Sequence, residues 1–69
     1  MKNTFCMIKV EREHAAEVRD LFKAAANVTY HRMNVMRDKA YKVLHVSGDL
    51  DAIINTAANV NYVTDILTY

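Results

Sequence analysis

The stretch AANVTY at residues 25–30 returns as AANVNY at residues 57–62, an offset of 32 positions. Apolar residues at helical spacing pair at the same offset: Val18 with Leu50, Leu21 with Ile53, Phe22 with Ile54, and Ala25 with Ala57. The strand before each helix pairs instead at an offset of 36, which matches Ile8 with Leu44 and Val10 with Val46. The difference is about one helical turn. We therefore interpret the chain as two βαβ pseudo-repeats, residues 4–36 and 40–69, with a longer helix in the first.

Periodicity around the repeated stretch predicts the remaining elements. Strands are expected at residues 5–10, 30–36, 40–46 and 61–69, and helices at residues 13–27 and 50–57. Ser47-Gly48-Asp49 is expected to end the third strand, and Asp49 and Asp51 to cap the second helix. The order βαββαβ predicts an α+β, ferredoxin-like fold, in which two helices cover one face of a four-stranded antiparallel sheet. We expect this fold to occupy residues 1–69 as a single domain.

Alternation along the strands divides the side chains between the two faces of this sheet. Ile8, Val10, Leu44 and Val46 match the apolar stripes of the helices, so we expect them inside. Cys6 falls on the same side and is expected to be a buried, inert thiol. The face without helices is predicted to carry Phe5, Met7, Tyr41, Val43 and His45. Such an apolar patch at the centre of a sheet predicts an interface, covered by a second copy or by a ligand.

Size and composition favour self-association and argue against several other classes of protein. The chain has 69 residues, 52% of them hydrophobic, and a domain of that length is marginally stable alone. The one cysteine excludes an internal disulfide. His14, His31 and His45 have no carboxylate or cysteine at a ligand spacing, so we expect no metal, no cofactor and no enzymatic activity. No apolar run is long enough to cross a membrane, so we expect a cytoplasmic protein. Because a domain of this length is marginally stable alone, we expect it to form a homodimer.

The charge is balanced overall but unevenly distributed. The formal net charge is +1. Residues 1–39 hold eight basic and five acidic residues, whereas residues 40–69 hold one basic and three acidic residues. Four of the basic residues fall on the second and third strands and the turn between them: Arg32, Arg37, Lys39 and Lys42. We predict that they form a basic edge that contacts an acidic surface of a partner.

The chain resembles the stand-alone effector modules of the Lrp/AsnC type (RAM) and, more loosely, ACT domains. Val28 and Val60 match the apolar residue that follows each helix in those modules. Ser47-Gly48-Asp49-Leu50 resembles their third-strand exit and helix start, and residues 60–66 resemble their last strand. The resemblance implies an effector domain of amino-acid type that dimerises through its sheets. The predicted function is thus a regulatory module that modulates, or inhibits, a larger protein partner or senses a small ligand at a subunit interface.

An RNA-binding module is the alternative, because RNA-recognition motifs share this topology. Their third-strand octamer contains basic, glycine and aromatic positions. Residues 39–46 keep the first basic residue and one aromatic, but Val43 replaces the second stacking aromatic. In this alternative Phe5 would stack on a base, with Lys9, Arg32 and Lys42 near phosphates.

Overall fold

The structure, a computed structural model, describes residues 3–60 and 62–68. Its elements are β1 (Asn3–Glu11), a 3₁₀ turn (Arg12–His14), α1 (Ala15–Ala24), β2 (Val28–Val35), β3 (Tyr41–Asp49), α2 (Leu50–Ala58) and β4 (Val63–Thr68). The four strands form one antiparallel sheet in the order β2-β3-β1-β4. The predicted βαββαβ order and ferredoxin-like fold are confirmed.

The core lies between the sheet and the two helices. Ten apolar residues are at most 5% exposed: Cys6, Ile8, Val10, Ala15, Val18, Phe22, Leu44, Val46, Ile53 and Ala57. Those from β1 and β3 are all even-numbered, because alternate side chains of a strand point to one face. The two central strands therefore supply half of the core, and the helices supply the rest.

The third strand does not end where the sequence predicted. β3 continues through Ser47 and Gly48 to Asp49, and α2 begins at the next residue. Gly48 permits this continuation because its φ is +139° and a Cβ there would overlap the carbonyl oxygen of Asn27. The close approach lets the backbone N–H of Asp49 donate to that carbonyl over 3.0 Å. The glycine thus joins the start of β2 to the end of β3 instead of making a turn.

Two other boundary predictions change in detail. Asp49 precedes α2 in an extended conformation, at the predicted N-cap position. Its side chain makes no capping hydrogen bond, so the predicted capping by Asp49 is wrong. Asp51 lies in the first turn of α2, where a negative charge is favourable. The last strand covers Val63–Thr68, and the predicted ends at Asn61 and Tyr69 lie outside the described residues.

Candidate functional site

The sheet face opposite the helices, called here the open face, carries all five side chains that the sequence placed there. Phe5 and Met7 occupy odd positions of β1, and Tyr41, Val43 and His45 occupy odd positions of β3. The register sets Met7 directly opposite His45. Since the even positions of both strands are buried under the helices, these five side chains lie on the other face.

The apolar part of the open face extends further than the sequence indicated. Phe5 is 55% exposed, and Leu67 on β4 is 50% exposed beside its register partner Met7. Sequence reasoning missed Leu67 because the pairing of β4 with β1 shifts at Lys9 and Val10. That shift puts Val63 and Ile66, which differ by three positions, against the core. Simple alternation could not have assigned the faces of this strand.

Polar groups surround the apolar residues of the open face. The ammonium of Lys9 lies 4.3 Å from the centre of the Tyr41 ring, a cation–π contact. Asp65 is the register partner of Lys9 on β4, and its carboxylate accepts a hydrogen bond of 2.9 Å from the backbone N–H of Ile66. Lys9 lies on the central strand β1 between Val43 and Asp65, so charged groups stand within the open face beside its apolar side chains.

A bulge in β2 places two further side chains on the open face. Tyr30 pairs with Val46 and Arg32 pairs with His45, which leaves His31 as the extra residue. The His31 ring stacks on Phe5 with centroids 5.7 Å apart, and its Nε2 shares a 2.7 Å hydrogen bond with the Ser47 hydroxyl. Bulges commonly re-aim side chains in this way.

Opposite the bulge, His45 is held in a partly desolvated and electropositive environment. The Asn34 amide donates to Nε2 of His45 over 3.1 Å. Burial lowers the pKa of His45 below its ordinary value of 6.5, and the charges of Arg32 and His31 lower that pKa further. A cavity of about 260 Å³ is lined by Phe5, Cys6, His31, Arg32 and His45.

Cys6 is chemically quiet. The residue is fully buried and its thiol is free. Burial raises the pKa of that thiol above 9.0, so the reactive thiolate is disfavoured. The position and environment are those of a small core side chain.

The structure does not gather the four basic residues into one edge. Arg32 lies on the open face opposite His45, whereas Lys42 is the register partner of buried Val10 and faces the helix side. Arg37 and Lys39 lie in the β2–β3 hairpin loop, where Lys39 has a φ of +63°. Lys39 and Lys42 line one cavity beside this loop, whereas Arg32 lies apart on the open face. A shared contact surface of these basic residues stays a prediction.

A second cavity adjoins that hairpin loop. Its volume is about 560 Å³, and its lining mixes acids and bases: Glu11, Arg12, Glu13, Lys39, Ala40, Tyr41 and Lys42. The Arg12 guanidinium donates to the carbonyl of Lys39 at 3.4 Å, which ties the loop to the end of β1. This cavity shares only Tyr41 with the predicted interface residues.

His14 lies away from the open face. Its ring stacks on Tyr62 with centroids 3.5 Å apart and planes 8° from parallel, and Nδ1 lies 3.7 Å from the Glu17 carboxylate. Across residues 3–60 and 62–68, no three His, Cys, Asp or Glu side chains come together as metal ligands. In the same residues no helix is both long and apolar enough to cross a membrane.

Comparison with known protein families and with curated proteins finds no match to this chain.

Proposed function

We propose that the chain is a small non-enzymatic interaction module that forms a homodimer through its open face and acts by binding. One observation carries the proposal: Phe5 and Leu67 remain half exposed on the sheet face that the helices do not cover. Met7 is a partly exposed neighbour of both, and Val43 lies on the same face as the register partner of Lys9. Large apolar side chains grouped at the centre of a sheet mark a surface that another body covers.

The size of the face fits one copy packing on another. The two longest dimensions of the chain are 34 and 22 Å. The open face therefore has an area of at most roughly 750 Å², close to the about 800 Å² that each partner contributes to a standard interface. A two-fold axis lets the same patch cover itself, which is the simplest closed assembly.

We also propose a regulatory role for this dimer. The dimer would modulate or inhibit a larger protein partner, or sense a small ligand at the subunit interface, and the resemblance to RAM and ACT modules supports this direction. A cytoplasmic compartment suits a chain whose single cysteine is a buried thiol.

The experiment compares two leucines of similar exposure on opposite sides of the molecule. Leu67 is 50% exposed on the open face, and Leu21 is 41% exposed on α1. Burying the exposed half of Leu67 contributes about 1 kcal/mol per subunit. An aspartate there would add the cost of a buried charge. Leu67→Asp should therefore weaken the dimer at least 30-fold (about 2 kcal/mol) in sedimentation velocity, whereas Leu21→Asp should leave it unchanged.

A wild-type chain that sediments as a monomer at high micromolar concentration would refute the homodimer. Equal weakening by both leucine changes would move the interface away from the open face. We expect both variants to fold, because neither side chain belongs to the core. Circular dichroism of each variant verifies this.

RNA binding through the open face is a second candidate, favoured by the presence of Phe5 and Arg32 in the lining of one cavity. Phe5 presents an exposed aromatic ring close to the cationic Arg32, as base-stacking surfaces do. Lys42, however, faces the helix side and cannot contact phosphates there. A fluorescence titration of single-stranded RNA at 50 and 200 mM salt separates the candidates, since RNA affinity falls steeply with salt. No RNA binding at 50 mM salt would exclude this alternative.

A further inference from the structure

We infer that the β2 bulge forms an oxyanion site, the bulge site, in which His31, Arg32, His45 and Ser47 bind the phosphate group of a small ligand. The proposal goes beyond self-association, because it concerns polar groups at one end of the open face and a ligand of different chemistry. β2 is an edge strand, so the bulge itself lies at the rim of the face.

The geometry of the bulge brings three nitrogen-bearing side chains to one cavity. The extra residue allows His31 and Arg32, which are adjacent in sequence, to reach the same face and line the cavity of about 260 Å³ with His45. The Ser47 hydroxyl lies 2.7 Å from His31 and adds a further hydrogen-bonding group. A guanidinium and imidazoles converging on a concave surface are suited to a tetrahedral oxyanion.

The charge of the cluster has no counterpart within the described residues. Arg32 makes no ion pair there with Asp49, which ends β3, or with Asp65 on β4. Asp65 is separated from β2 by both central strands. The uncompensated guanidinium of Arg32 therefore favours an anion from outside the chain.

Protonation of His45 should couple to anion binding. Neutral His45 accepts a hydrogen bond from Asn34 through Nε2, and on protonation the same atom becomes a donor. The groups that face His45 across the strands are Arg32 and His31 on β2 and Met7 on β1, with Lys9 two residues further along. The charged groups beside His45 are basic, and the acidic Asp65, against Lys9 on β4, is separated from the bulge by two strands. A bound phosphate would therefore favour the protonated ring, and a given ionisation state of phosphate should bind more tightly as pH falls.

The test is a proton NMR titration of the histidine rings with inorganic phosphate. Phosphate should raise the titration midpoints of His31 and His45 and leave His14, on the far side of the sheet, unchanged. For one ionisation state of phosphate, a midpoint shift of one unit on one ring corresponds to about tenfold tighter binding when that ring is protonated. Arg32→Gln should abolish the effect, and Arg37→Gln, an identical change in the hairpin loop, should preserve it.

A second arm distinguishes free phosphate from a nucleotide. Tighter binding of adenosine monophosphate than of inorganic phosphate would assign the site to a nucleotide, and equal affinities would assign it to phosphate itself. Unchanged midpoints of His31 and His45, or equal losses in the Arg32 and Arg37 variants, would overturn the proposal. Diffusion measured on the same samples reports the oligomeric state, so a monomer that binds phosphate would refute only the homodimer.

Discussion

Replacing Gly48 with alanine should destabilise the chain severely. The φ of +139° strains any L-residue by about 1–3 kcal/mol. The added Cβ would overlap the Asn27 carbonyl oxygen and lie 3.0 Å from Cα of Val28. Overpacking of this kind costs a further 1–3 kcal/mol or so. The expected loss of about 2–6 kcal/mol compares with a total of roughly 3–10 kcal/mol for a domain of this length.

Urea denaturation followed by circular dichroism measures the loss. The control is Asp49→Ala at the next position, where φ is −69° and the side chain makes no capping hydrogen bond. That change should cost less than about 1 kcal/mol. If Gly48→Ala costs no more than Asp49→Ala, the close approach of β3 to Asn27 is not a constraint on the fold.

Two further predictions concern pH and the core. Because the pKa of His45 in the folded chain lies below 6.5, the unfolded chain takes up the proton first, and the free energy of unfolding should fall as pH falls through 6.5. Urea titrations across this range should show a weaker pH dependence for His45→Gln, and an equal slope would contradict the lowered pKa. Phe22→Ala should cost about 3–5 kcal/mol in the same assay, whereas Leu21→Ala, at a 41% exposed position, should cost less than about 1 kcal/mol. Similar losses at the two positions would contradict the orientation of α1.

Much of the fold could be predicted because the apolar periods of this chain are regular. Ile8, Val10, Leu44 and Val46 were expected inside, and all four are fully buried. The same alternation located Phe5 and Met7 on the open face, because side-chain direction in an unbroken strand follows from position alone. Strand ends were less predictable. A glycine after a strand pattern, such as Gly48, usually indicates that the strand ends there. Only the contact of Gly48 with Asn27 explains why β3 continues.

The helices show how burial can depart from a repeat in sequence. The offset of 32 matches Leu21 with Ile53 and Phe22 with Ile54. In the structure Phe22 and Ile53 are fully buried, while Leu21 and Ile54 are 41% and 44% exposed. The matched residues thus lie in different environments, because the rotation of each helix about its axis depends on packing against the sheet and the other helix.

By itself, the sequence determined the element order, the ferredoxin-like topology and the inner row of the central strands, since these depend on local periodicity and on the chirality of βαβ connections. Only the tertiary structure decided that His31 and Arg32 share a face with His45, and that Leu67 extends the apolar patch. Both results come from register shifts, at residues 30–32 of β2 and beside Lys9 in the β1–β4 pair. A one-residue shift reverses the direction of every later side chain in a strand. The position of such a shift is set by pairing between distant segments of the chain, so local sequence patterns do not predict it.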